Sequence, residues 1–121
     1  MSEQVLHKGL TPERWNQFPI DRRLAMIASE FGRAISALER EDRAHAGDCY
    51  QRARELVILT LQDVEQQHDQ AVSSLLREIE RTIDATNAER MPLPELLAQS
   101  QHLDARLSDA SWALHDGKDA A

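Results

Sequence analysis

The sequence predicts an all-α fold, an antiparallel up-down four-helix bundle with a short extra helix at its N-terminal end. Three observations carry that prediction. Four long stretches repeat apolar residues at alternating steps of three and four, the clearest being Leu24, Ala28, Phe31, Ile35 and Leu38, which is the period of a helix with one buried face. No stretch alternates as a strand would. Gly and Pro number four each, which suits helices with short connections, and short connections make sequential helices antiparallel neighbours.

Residues 1–10 carry little pattern and read as a flexible arm; 11–116 form the bundle and 117–121 a frayed tail. Thr11-Pro12-Glu13 reads as an N-cap, a proline at the first helical position and an acidic first turn. A short helix follows through Trp15 to about Phe18, where Pro19 interrupts it. Trp15 and Phe18, three apart, form a lid over one end of the bundle. The second helix runs from about Ile20 to Glu41. Asp42 caps the third, from about Arg43 to Gln66, with a core face of Ala46, Tyr50, Ala53, Val57, Thr60 and Val64. The polar run 65–69 marks a turn. The fourth helix covers about Gln70 to Ala85 with the stripe Val72, Leu75, Leu76, Ile79 and Ile83. Met91-Pro92-Leu93-Pro94 is the connector to the last helix, striped by Leu96, Ser100, Leu103, Leu107, Ala110 and Leu114, with Gly117 as its stop signal.

At 121 residues the chain is one domain, long enough to bury a core without staples. Aromatic content is only 4%, so that core is aliphatic. The net charge of −7 disfavours nucleic acid as a partner, because no basic run offsets the repulsion of a phosphate backbone. A single cysteine, Cys49, fits a reducing compartment. No apolar run spans a membrane, and the first ten residues lack a secretory pattern. A cytoplasmic protein is the resulting expectation, with no cofactor.

Beside its large-residue stripe the second helix carries small residues at a shared face: Ala25, Ser29, Gly32 and Ser36. A glycine inside a helix costs about 1 kcal/mol relative to alanine, and close backbone approach is the structural reason to accept it. One reading places this face against a neighbouring helix of the same bundle. The other makes it, with flanking Met26 and Arg33, a face for a helix from a partner protein or for a homodimer, since methionine adapts well at binding surfaces.

Other constellations suggest chemistry. Arg40 and His45 have the Arg-x4-His spacing in which an arginine holds a phosphate and a histidine moves a proton near neutral pH. That spacing resembles the helical ribonucleases of the higher eukaryote and prokaryote nucleotide-binding family, which implies metal-independent RNA cleavage as the alternative function; Glu41 and Asp42 add negative charge beside any phosphate. Glu65 and His68 form one Glu-x-x-His, half of what a ferritin-like metal pair needs. The imperfect second copy, Asp42-x-x-His45, lies about 35 Å away along the helix and cannot share its metal. Cys49 reads most simply as a small buried hydrophobe under a surface His45; the other reading has His45 and Cys49, four apart, couple and lower the thiol pKa.

The segment Trp15-Asn16-Gln17-Phe18-Pro19, then Leu24, Ile27, Ser29-Glu30 and Arg33-Ala34, continued by Arg52-Ala53, Glu55-Leu56 and Leu59-Thr60-Leu61, resembles a family of small uncharacterised bacterial helical proteins. That resemblance covers about residues 15–85 and implies a bundle but no activity. The layout of Pro19, Leu24, Asp42, Arg52-Ala53 and Asn87 is similar to that of the flagellin export chaperones, although the N-terminal tyrosines and the Leu-Tyr-Asp-Gly segment of that family are missing. This similarity implies capture of an amphipathic segment of a client in a surface groove. Together these readings favour a non-enzymatic interaction protein.

Overall fold

A computed structural model of the chain describes residues 10–120, with side chains to 115. Among these, five helices occur and no strand: α1 (Pro12–Asn16), α2 (Ile20–Glu39), α3 (Arg43–Gln66), α4 (Gln70–Ala85) and α5 (Leu93–Ala120). The arm predicted for 1–10 falls, apart from Leu10, outside the described residues. No helix among those described is long and apolar enough to cross a membrane.

Helix starts follow their local chemistry. The Thr11 side chain accepts from the Arg14 amide, Asp42 from the His45 amide, and Asp69 from the Val72 amide, each satisfying one orphan donor of a first turn. The ends of α2 and α3 share one device. Glu41 and His68 sit at φ 60° and 61°. The amide after each reaches back across the last turn, Asp42 to the Ala37 carbonyl and Asp69 to the Val64 carbonyl. That is a Schellman closure with a non-glycine residue in the left-handed position. The next residue in each case is the aspartate that caps the following helix, so one short turn both ends a helix and starts its successor.

Four helix ends differ from expectation. α2 stops at Glu39 rather than Glu41, whose positive φ takes it out of the helix, and α5 starts at Leu93, inside the predicted connector. α1 stops at Asn16, and Phe18 lies beyond it, because Gln17 and Phe18 satisfy their amides on Arg14 and Trp15 carbonyls at the cap. α5 passes through Gly117 to Ala120; an isolated glycine weakens a helix without ending it.

The predicted stripes form the core. Leu24, Ala28, Phe31 and Leu38 of α2, the six core positions of α3, all five of α4 and Leu96, Leu103 and Leu107 of α5 are buried. Phe31 and Tyr50 meet edge to face at 5.2 Å. α2 packs on α5 along one side and on α3 along the other, α3 packs on α4, and α1 rests on α3. Bonded pairs fix the levels at which these helices meet. Arg23 reaches Asp63 at 3.0 Å and Glu30 reaches Arg52 at 3.2 Å between α2 and α3. Arg54 reaches Asp84 between α3 and α4, and Arg106 reaches Glu78 between α5 and α4. Ser111 donates to the Asp21 carbonyl, which joins the far part of α5 to the first turn of α2.

Polar groups taken into the interior are bonded there, as burial demands, apart from the Arg23 Nε, which has no partner among the described residues. The Trp15 indole N–H donates to the Thr60 hydroxyl at 2.9 Å, and that hydroxyl donates to the Leu56 carbonyl. This bond holds α1 on α3, and Trp15, expected with Phe18 as a lid over one end of the bundle, is buried in the core at 1% exposure. Ser100 donates to the Leu96 carbonyl and so accepts from Tyr50 at 2.8 Å, while Gln99 bridges Tyr50 to Thr86.

Candidate functional site

The small-residue face of α2 lies on the outside. Ala25, Ser29 and Ser36 are exposed and Gly32 is half-exposed. A side-chain carbon built at Gly32 would meet nothing within 4 Å. Close approach of another helix of the bundle therefore does not account for this glycine. The reason is angular. α2 turns its large apolar stripe inward and is covered on its flanks by α3 and α5, and the small residues fall on the remaining side. Arg33 is exposed and Met26 half-buried, so all six residues singled out for this face share it.

Extending the face along the helix gives a seam at steps of four and three: Arg22, Met26, Ser29, Arg33, Ser36 and Arg40. Three guanidiniums on one seam are a local positive feature in a chain of net charge −7. Each is held. The Arg22 guanidinium lies 5.0 Å over the Phe18 ring. Arg33 donates to Glu30 at 2.9 Å, and Arg40 donates to the Ser36 carbonyl.

Beside the seam, where α1 and α3 border α2, is a groove of about 430 Å³ lined by Leu10, Trp15, Phe18, Met26, Ser29, Glu30, Arg33 and Leu56. Trp15 and Leu56 make its buried apolar floor. Glu30, 4% exposed, forms one wall, with one carboxylate oxygen held by Arg33 and the other by Arg52. A buried carboxylate requires such partners, and here they also fix the position of Arg33 at the rim. Arg52 further donates to the Cys49 sulfur at 3.4 Å. Burial pushes the Cys49 thiol above its ordinary value, outweighing the nearby arginine. Cys49 is thus the small buried hydrophobe expected of it: desolvation disfavours the thiolate, and the group beside the sulfur is Arg52.

The other constellations lie away from this groove. Arg40 closes α2 and folds back on it, while His45 stands in the first turn of α3 beyond the left-handed Glu41. Glu65 and His68 line a cleft on the α3–α4 side. Because α3 ends at Gln66, His68 leaves the helical register that would have paired it with Glu65, and the Glu65 carboxylate is engaged by Arg77. Among the described residues no group of three or more His, Cys, Asp or Glu is placed to hold a metal ion.

One exposed feature escaped the sequence reading. Trp112 is 65% exposed, the large apolar side chain left uncovered among the described residues. Its signal was its absence from the α5 core stripe: it continues the outward series Ala98, Gln101, Ala105 and Ser108, all exposed.

Compared with known proteins, the chain matches no family model, no curated protein and no solved structure.

Proposed function

We propose that this protein is a non-enzymatic interaction module: an antiparallel up-down bundle of α2 to α5, led by α1, that takes a helix of a protein partner along the outer face of α2. The observation that carries the reading is the outward placement of Ala25, Ser29, Gly32 and Ser36 beside an apolar groove. A helix can lie close along a small-residue seam, and a bulky side chain of that helix finds the groove floor of Trp15 and Leu56, which is the helix-in-groove mode of recognition. The antiparallel order is supported by the levels of the bonded pairs, the start of α2 meeting the ends of α3 and α5. The arginines of the seam favour a partner surface bearing carboxylates.

Ser29→Leu and Gly32→Leu test the reading. Ser29 is exposed at the edge of the groove and a side-chain carbon at Gly32 meets nothing within 4 Å, so the variants keep the far-UV circular dichroism and melting temperature of the parent to within a few degrees. Binding of the protein partner falls at least tenfold. Variants that unfold, or that bind as the parent does, would overturn the reading.

A further inference from the structure

We infer that the partner of the α2 face is an acidic amphipathic helix of another protein, whose carboxylates, three turns apart, meet Arg22 and Arg33 while an apolar residue between them enters the groove. The inference rests on the interaction reading above and names the chemistry of its occupant.

The sign of the charge is set along α2. From Ile20 to Leu38 the helix has two carboxylates and three guanidiniums. Both carboxylates are buried. Asp21 is bonded to His115, and Glu30 gives one oxygen to Arg33 and the other to Arg52. Arg23 is buried on Asp63. The exposed charge of this stretch is therefore Arg22 and Arg33, both positive on a chain of net charge −7. Glu30, shared between two guanidiniums, leaves that trio one positive charge in excess. Beyond the stretch the exposed Glu39, Glu41 and Asp42 surround Arg40 in sequence, so the positive surface is bounded. Charges more than about 8 Å away are screened at physiological ionic strength, and a helix laid on this face meets the two arginines first.

Both arginines stand at the groove. Arg33 lines it, and the Arg22 guanidinium lies 5.0 Å over the ring of Phe18, which lines it too. Bonding to Glu30 fixes Arg33 and leaves further N–H groups of its fork for a second carboxylate. Eleven residues separate the pair on α2, about 16 Å of helix. Met26 and Ser29, four and seven residues after Arg22, line the groove between them. Steps of four, three and four read the same in both directions. A facing helix that repeats them therefore matches in either orientation, with carboxylates at the ends and a large apolar residue at a middle position, over Trp15 and Leu56. A nucleic-acid strand fits less well, because it carries a phosphate at every nucleotide and brings the next ones against the carboxylates at 39–42.

Fluorescence anisotropy of labelled synthetic peptides against the full chain tests the inference. The probe is an alanine-based helical peptide with glutamate at two positions eleven apart and leucine four and seven residues after the first. Companion peptides replace both glutamates by glutamine or by lysine. The acidic peptide should bind about fivefold tighter than the glutamine peptide and weaken as salt is raised. Arg22→Glu, at an exposed site, should weaken the acidic peptide about fivefold and make the lysine peptide the better ligand, an exchange that misfolding does not reproduce. No binding of the acidic peptide at about 1 mM, equal binding of the glutamine or lysine peptide to the parent, or an unchanged preference in Arg22→Glu overturns the inference. So does a single-stranded oligonucleotide that displaces the acidic peptide at lower concentration than the unlabelled peptide does. Where a companion peptide binds and Ser29→Leu weakens it, the acidic partner is overturned and the interaction reading stands; where Ser29→Leu has no effect on any bound peptide, the interaction reading fails as well.

Discussion

Thr60→Val isolates the buried bond between α1 and α3; α1 is also held to α2, where Asn16 accepts from Arg23 at 3.1 Å. Valine matches threonine in shape, so no cavity opens and the helix backbone is unchanged. What is lost is the acceptor for the Trp15 indole N–H, at 2.9 Å in a site 1% exposed. The Leu56 carbonyl loses a second donor but keeps its helical one. A buried donor left without a partner costs about 1–3 kcal/mol, and the indole has no route to water while its ring stays under Phe18, 6.1 Å away edge to face. The expected destabilisation is therefore about 2 kcal/mol, which for a domain of this size lowers the melting temperature by about 8 °C. Thermal melts followed by circular dichroism measure it. Trp15→Phe removes the donor instead of the acceptor, and a double-mutant cycle should return a coupling of about 1 kcal/mol. A neutral Thr60→Val, or a coupling near zero, would refute the claim that this bond clamps α1.

Glu41→Gly and His68→Gly should each stabilise the protein by about 0.5–1 kcal/mol in denaturant melts, because both residues hold positive φ and glycine relieves that strain. Gly32→Ala should add about 1 kcal/mol, since the new methyl meets nothing within 4 Å and alanine is the better helix former. Alkaline pH should unfold the chain through Tyr50 and Cys49, whose pKa values burial raises above 10.0 and 9.0. Below those values both states are protonated and the full stability is present. As pH climbs past them the unfolded state releases its protons first, and stability falls. Tyr50 is the one tyrosine, so absorbance at 295 nm should report its ionisation together with unfolding; a phenolate forming at the ordinary pH in a still-folded chain would contradict this.

The helices were legible because their information is local. Apolar spacing, Thr11, Asp42 and Asp69 as caps, and the polar run at 65–69 all act within a few residues. The charged interior was not legible. Arg23 and Glu30 fall on the flank of α2 that α3 covers, and their burial follows from Asp63 and Arg52, 40 and 22 positions away. Gly32 shows the same limit from the other side: its neighbours in sequence suggest close packing, but which sector of a helix is covered depends on where other helices lie. The six residues of the α2 face share a surface as their spacing required. The groove beside them joins Leu10, Phe18 and Leu56 from three segments and had no local signature, and Trp112 was visible only as an aromatic residue out of step with its stripe.

The most direct test of α2 as the binding surface is a photo-crosslinking amino acid placed at Ser29 in living cells, with Gln62, exposed on α3, as the control position. The account predicts a discrete protein adduct from position 29, whether to a second copy or to another chain, and none from position 62. Equal labelling at both positions, or no adduct from 29, would contradict it.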